Sequence, residues 1–231
     1  MYVPVMVIFI TGTDTDCGKT FVSSLLLKAF LALGIDASYQ KWVSTGNRDY
    51  SEDAHFVYEM AGITPPPMAG SLETPYCFSL PASPHLAGEQ DGQSIDTRHL
   101  EECTRTLGER HELVIVEGVG GLLVPLTRET LLIDLVAQMS LPTIVVARAG
   151  LGTINHTLLT IEALERRGIE IRGLIINEDR PANPLIAQDN QAVIEKFTGI
   201  SPLCRIPHQS HIDNSLIDEL KEAAKVLYAH H

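Results

Sequence analysis

Apolar and polar positions along the 231 residues follow two alternating rhythms. Short β-branched runs occur at Val5 to Thr11, Ala37 to Val43, Leu113 to Glu117, Pro142 to Ala147, Ile169 to Ile176 and Leu203 to Ile206. Their length and composition predict strands. Between them, apolar residues recur at helical spacing over about Gly18 to Leu33, Asp53 to Ala61, Thr97 to Glu109, Leu131 to Met139, Ile154 to Arg167, Pro184 to Phe197 and Ser215 to Ala229. Gly34, Gly62, Gly168 and Gly199 stand where helices should stop, since glycine accepts the left-handed conformation of a helix end. Several strand runs are apolar on both faces, as strands covered by helices above and below require. The expected architecture is α/β: a doubly wound, mostly parallel sheet with helices on both faces.

From Gly62 to Gly92 the rhythm fails, because Pro65, Pro66, Pro67, Pro75, Pro81 and Pro84 are too many for regular structure. An irregular crossover is expected there, packed down through Tyr76, Phe78 and Leu86. No repeat, low-complexity tract or composition shift marks a boundary, so residues 1–231 are expected to form one domain. The apolar start, Met1 to Ile10, lacks the basic leader of a secretory signal and reads as a buried strand. The longest apolar stretch, Leu113 to Leu126, is broken by Glu117, glycines and Pro125, which argues against a membrane-spanning helix.

Composition is that of an ordinary folded chain, 45% hydrophobic and 20% charged, which excludes disorder. Charge adds a constraint. With 17 Lys and Arg against 29 Asp and Glu, the formal charge is −12, which argues against a broad grip on nucleic acid or anionic membrane. Any phosphate must therefore be held locally. Cys17, Cys77, Cys103 and Cys204 form no CxxC pair, so neither a disulfide framework nor a zinc site is indicated and a reducing cytoplasm is expected. His230 and His231 read as an exposed terminus with no metal role.

The candidate chemistry begins at Gly12-Thr13-Asp14-Thr15-Asp16-Cys17-Gly18-Lys19-Thr20, which joins the first strand to the first helix. A phosphate site needs backbone N–H groups turned inward, a helix N-terminus behind them, a lysine for the outer phosphates and a hydroxyl for Mg²⁺. Gly12, Gly18, Lys19 and Thr20 supply those parts, although five residues separate the glycines where the usual template has about four. Asp14 and Asp16 are unusual beside an anion and are expected to face a cationic substrate group or to brace the loop. Cys17, at a helix start where thiol pKa values fall, is a candidate reactive thiol, against ordinary loop packing.

Mg²⁺ usually takes one or two carboxylates plus waters and substrate phosphates. Glu117 ends an apolar strand and precedes Gly118-Val119-Gly120-Gly121, which puts an acid and bare backbone at the carboxyl edge of the sheet, where open α/β sheets bind ligands. Asp53 is either a second metal carboxylate or a first-turn acid of its helix. Lys41, at the end of the second strand with Ser44, Thr45 and Gly46 nearby, offers a second cation for charge developing in phosphoryl transfer. The segment Gly150 to His156 opens a helix whose free N–H groups suit a substrate carboxylate, and Asn177 has the paired donor and acceptor to read a base edge. Local capping is the plainer reading of both.

Taken in order, Gly12 to Thr20, Lys41 with Thr45-Gly46, Pro75-Tyr76 with Phe78 and Pro81, Ser83-Pro84-His85, Glu117 to Gly121, and Gly152 to His156 resemble the dethiobiotin synthase family. The matches run from residue 12 to about residue 208. The resemblance implies a P-loop ligase that forms the ureido ring of dethiobiotin from 7,8-diaminononanoate, CO₂ and ATP with Mg²⁺. It implies Lys19 and Lys41 as catalytic cations and Thr20, Asp53 and Glu117 as metal ligands. Nucleotide contacts are implied at Asp16, Cys17, Gly18, Lys19, Thr20, Phe21, Asp53, Glu117, Gly118, Val119 and Gly120, with Asn177, Ile206, Pro207 and His208 flanking adenine. Substrate contacts are implied at Thr15, Lys41 and Thr45, and at Gly152, Thr153 and Asn155 reaching across a homodimer interface. The sequence departs from the family where Trp42 replaces the usual proline after the lysine and Glu178 the frequent aspartate after the asparagine.

Two other functions share the phosphate loop. A nucleotide-switch ATPase, cycling between monomer and dimer under control of a partner, needs a partner or DNA surface, yet no basic patch or basic amphipathic tail is visible. An amide-forming synthetase needs a glutamine-hydrolysing domain, for which the chain is too short.

Overall fold

The computed structural model describes residues 5–65, 68–208 and 214–229. The expected strand start at Met1 to Pro4, Pro66 and Pro67 of the proline-rich stretch, and the expected exposed terminus at His230 and His231 lie outside them. Strands and helices alternate as β1 (Met6–Gly12), α1 (Lys19–Ala32), β2 (Ala37–Lys41), β3 (Val43–Thr45), α2 (Glu52–Ala61), β4 (Tyr76–Phe78), α3 (Pro84–Gln90) and α4 (Thr97–Gly108). They continue as β5 (Leu113–Gly121), α5 (Leu132–Gln138), β6 (Thr143–Arg148), α6 (Thr153–Arg166), β7 (Ile171–Asn177), α7 (Pro184–Thr198), β8 (Cys204–Ile206) and α8 (Asn214–Ala229).

Six strands form one sheet in the order β2-β5-β1-β6-β7-β8, every neighbouring pair parallel. Successive side chains of a strand point to opposite faces, and both faces are used. Met6, Ile8 and Ile10 enter a core shared with Val22, Leu25 and Phe30 of α1, Val57 of α2 and Leu220 of α8. Phe9 enters the opposite core, with Leu100 and Leu107 of α4, Leu135 of α5 and Ile194 of α7. The same split divides Leu113 and Ile115 from Val114 and Val116. This is the expected doubly wound arrangement, and it puts the carboxyl ends of β1, β2, β5 and β7 along one edge.

Two expectations need correction. The run Ala37 to Val43 is not one strand: β2 ends at Lys41, and β3 leaves to pair with β4 in a separate two-stranded sheet. The stretch from Gly62 to Gly92 is not wholly irregular, since it contains β4 and α3, with Pro84 in the first turn of α3 where a missing N–H costs nothing. The remaining proline-rich chain covers the outer edge of β2. Lys41 N donates to Glu73 O at 2.8 Å and Gln40 Nε2 to Leu72 O at 2.7 Å. Edge groups left bare would invite pairing with another chain.

Candidate active site

The β1–α1 turn carries the phosphate loop. Gly18, at φ 93°, caps α1 in the left-handed region, and a side chain there would meet the Asn177 amide nitrogen at 2.0 Å. Asp16 also has positive φ, 55°, which aspartate tolerates better than most residues. Asp14 braces the loop, its Oδ1 accepting from Thr15 N at 2.8 Å and Thr15 Oγ1 at 3.2 Å. Bracing is one of its two expected roles. Lys19 is 7% exposed and crosses the loop to donate to the Asp14 carbonyl at 3.0 Å. Arg148, at the end of β6, donates to the Thr15 carbonyl at 2.6 Å. This brace on a neighbouring strand has no signature in the sequence. Cys17 is fully buried, and its sulfur lies 2.3 Å from where a side chain on Gly12 would begin, so it packs the loop.

A second cluster sits where β2 meets β5. The register sets Lys41 directly beside Glu117 on adjacent parallel strands. Lys41 Nζ lies 2.7 Å from Glu117 Oε1 and 2.7 Å from Oδ2 of Asp53, at the start of α2. Thr20 Oγ1 donates to the same Glu117 oxygen at 2.8 Å and also lies against Asp53. The other Glu117 oxygen accepts from Ser23 Oγ and Tyr39 Oη, each at 2.9 Å. Glu117 is fully buried, so its charge is tolerable only because four donors surround it. Burial opposes the charge on Lys41, but Glu117 and Asp53 outweigh it and raise the ammonium above its usual range. Burial also opposes the charge on Asp53, and Lys41 reverses the balance, lowering the carboxyl. The Tyr39 phenol is pushed well up, first by burial and then by the charges of Glu117 and Asp53.

Asp53 does not cap its helix. Ser51 does so, accepting from Ala54 N at 3.1 Å, which frees Asp53 to turn toward Lys41. Thr20, Asp53 and Glu117 converge as one hydroxyl and two carboxylates, an all-oxygen set. Among the described residues no cluster of three or more His, Cys, Asp or Glu suits a metal. One hydroxyl and two carboxylates suit a hard ion that keeps waters and borrows phosphate oxygens.

Both clusters open on one cavity of about 1010 Å³. Thr15, Asp16, Gly18, Lys19, Thr20 and Phe21 line it from the phosphate loop, and Lys41, Thr45, Asp53, Glu117, Val119 and Gly120 from the other strands and α2. Pro81 to Pro84, before and at the start of α3, close a further side. Cys17 and Gly118 do not line it. A side chain on Gly118 would meet Leu132 and Phe9 at 2.8 Å, so close packing requires that glycine. Asn177 is buried behind the loop, donating to the Cys17 carbonyl at 3.1 Å. Ile206 is buried in the adjacent β8, with Pro207 and His208 exposed beside it. Gly152, Thr153 and Asn155 lie at the start of α6, outside the cavity.

Trp42, where the family resemblance expects proline, is fully buried against Phe9, with ring centroids 5.2 Å apart. Its backbone N–H donates to the Glu117 carbonyl at 3.2 Å, a bond that proline lacks the hydrogen to make. Its indole N–H reaches Thr104 Oγ1 at 3.0 Å and Gln40 Oε1 at 3.2 Å.

A strand, a glycine turn, a lysine opening the helix and an acid on the neighbouring strand define a P-loop nucleotide-binding protein. The match of residues 6–215 to the AAA domain family model agrees. In fold, the chain is similar to the cell division ATPase MinD of Pyrococcus furiosus (TM-score 0.57, 13% identity, covering 98% of this chain and 99% of that one). It is similar also to a ParA family ATPase of Chlorobium tepidum (TM-score 0.56, 12% identity, 99% and 93%). In sequence it is 43% identical over 212 residues to the ATP-dependent dethiobiotin synthetase of Anaeromyxobacter dehalogenans, covering 89% of this chain and 91% of that one. The chain belongs to the ATP-dependent dethiobiotin synthetase family, whose members are ligases. Among the described residues no helix is long and apolar enough to cross a membrane.

Proposed function

We propose that this protein forms the ureido ring of dethiobiotin in biotin biosynthesis, from 7,8-diaminononanoate, CO₂ and ATP. The observation that carries the reading is the pairing, across one cavity, of a phosphate-loop lysine with the buried Lys41–Glu117–Asp53–Thr20 cluster. An anion binder alone needs only the loop; the second cation and the acids suit a reaction that joins two anions. One amine of the substrate adds to CO₂ and loses a proton, giving a carbamate. A carbamate oxygen then attacks the γ-phosphorus, expelling ADP and leaving a carbamic-phosphoric anhydride. The second amine attacks the carbonyl carbon, phosphate departs, and the ring closes.

Lys19 would neutralise the transferring phosphoryl group, and Lys41 the carbamate, because both are desolvated cations whose charge acts strongly at short range. Thr20, Asp53 and Glu117 would hold Mg²⁺, which when bound supplies a Lewis acid for the phosphate oxygens. Thr15 and Thr45 offer hydroxyls to the diamine, while Val119 and Gly120 bring backbone close to substrate. Asn177, Ile206, Pro207 and His208 would flank adenine, and Cys17 and Gly118 would also contact the nucleotide. Residues 1–231 act as one domain in this reading.

Gly152, Thr153 and Asn155 would take the substrate carboxylate of a second copy, so the working form is a homodimer. Exposed Leu123, Leu151 and Leu159 near this helix support a self-association face. Light scattering should give twice the chain mass of 25.3 kDa, and a monomer at working concentration would count against the shared site. ADP release should require both the diamine and CO₂, with dethiobiotin detected by mass spectrometry. Equal turnover without either would sink the ligase reading and favour a nucleotide-switch ATPase.

A further inference from the structure

The two oxygens of Glu117 have separate duties. Oε1 faces the functional groups, accepting from Lys41 Nζ at 2.7 Å and Thr20 Oγ1 at 2.8 Å. Oε2 faces away, toward two hydroxyls with no other part in the proposed reaction, Tyr39 Oη and Ser23 Oγ, both at 2.9 Å. We propose that Tyr39 is a positioning residue: with Ser23 it holds the rear oxygen of Glu117, so that the front oxygen stays turned toward Thr20 and Lys41. This rests on the reading of Thr20, Asp53 and Glu117 as metal donors.

The placement follows from elementary geometry. Tyr39 and Lys41 are two residues apart on β2 and so share a face, reaching one carboxylate from the same strand. Thr20 and Ser23 are three apart on α1 and share a helix face. Each element therefore offers Glu117 one donor on the cavity side and one behind. Rotation of the carboxylate out of this plane would break bonds at both oxygens, so the rear pair restricts its orientation as well as satisfying it.

Tyr39 also joins Glu117 to the helix that bears Asp53. β2 is an edge strand, and the outward N–H and C=O of Tyr39 are covered by Tyr58 of α2. The Tyr58 hydroxyl donates to the Tyr39 carbonyl at 2.9 Å and accepts from its N–H at 3.3 Å. The two rings meet edge to face, centroids 6.3 Å apart. Through its side chain Tyr39 sets one acid, and through its backbone it ties down the helix of the other. Partners of metal-binding groups are worth about 10- to 100-fold in metal affinity.

Tyr39→Phe removes the hydroxyl and keeps the ring and the backbone bonds to Tyr58. Binding of a non-hydrolysable ATP analogue would be measured by calorimetry with Mg²⁺ and with chelator, at a temperature where circular dichroism finds both proteins folded. The gain in affinity conferred by Mg²⁺ should shrink about tenfold relative to the unsubstituted protein, while metal-free affinity stays within about twofold. Turnover should fall through kcat, with KM for the diamine little changed. An undiminished Mg²⁺ gain, or equal losses with and without Mg²⁺, would overturn the proposal. If Tyr39→Phe fails to fold, Ser23→Ala removes the other rear hydroxyl and is expected to reduce the Mg²⁺ gain in the same way; its failure to do so is equally fatal. Absence of any Mg²⁺ effect in the unsubstituted protein would overturn the metal reading itself, and this proposal with it.

Discussion

The phosphate loop and the β2–β5 edge each present a buried lysine to the same cavity, and they hold it by opposite means. Lys19 has a backbone carbonyl, Asp14 O, as its partner, and the turn around it is shaped by glycines and aspartates. Lys41 is gripped by two carboxylates, one of which carries three further donors. A site built from backbone dipoles leaves its cation weakly engaged and ready for an anion. A site built from side-chain charges is already neutralised, and in the proposed reaction its cation would turn to substrate as other positive charge reached Asp53 and Glu117. The first device suits anions in general, while the second suits the particular reaction proposed above.

Removing each lysine should separate these roles, and the larger effect belongs to Lys41. Lys41→Ala leaves Glu117 buried beside Asp53 without a counter-charge, the situation that costs about 3–5 kcal/mol when a buried pair is broken. Denaturant unfolding should register that loss. Turnover at saturating ATP should fall about 10²- to 10³-fold, as for loss of one donor to transition-state charge, with nucleotide affinity changed far less. Unaltered turnover with a large loss of ATP binding would reverse the assignment of the two sites. Lys19→Ala, which strands only a backbone carbonyl, should cost little stability and weaken nucleotide binding, checked by calorimetry and unfolding together.

The smallest expected effect concerns the support behind Lys41. Burial pushes the Tyr58 phenol up to about 12, against hydrogen bonds from Ser38 and Tyr39 that lower it. A folded-state pKa above the unfolded value of about 10 means that Tyr58 must ionise on unfolding in this range. Its contribution is therefore whole below pH 10 and is lost as pH rises through about 12. Absorbance at alkaline pH should show the phenol un-ionised until the edge begins to unfold. The Tyr58→Phe protein should lose less stability over that window.

Much of the fold was legible because its signals are local. The apolar runs of β1, β5, β6 and β7 mark strands by residue type and length, and the structure shifts their ends by a few residues at most, except that β5 continues to Gly121. The loop from Gly12 to Thr20 announces itself because a phosphate cradle needs particular residues in immediate succession. The split at Trp42 was not legible. An unbroken apolar run looks the same whether it continues beside β5 or leaves to meet β4, and only the partner decides. Nor do Tyr39 and Ser23 belong to any motif that marks a site. Their spacing from Lys41 and Thr20, two on a strand and three on a helix, puts them on the same faces and was the available clue. Arg148 carries no comparable clue, since its target, the Thr15 carbonyl, is 133 positions away.

By itself the sequence determined the alternation of strands and helices, the phosphate loop and the identity of the charged groups at the sheet's carboxyl edge. A net charge of −12 required that any phosphate be met by a few local cations, and Lys19 and Lys41 are those that line the cavity. Tertiary structure alone decided which carboxylates Lys41 would meet, which oxygen of Glu117 would face Lys41 and Thr20, and that Asp53 would leave its cap to Ser51. Such choices depend on register and on burial. A parallel pairing sets Lys41 beside Glu117, and a fully desolvated carboxylate must gather every donor within reach, from residues that only the folded chain brings together.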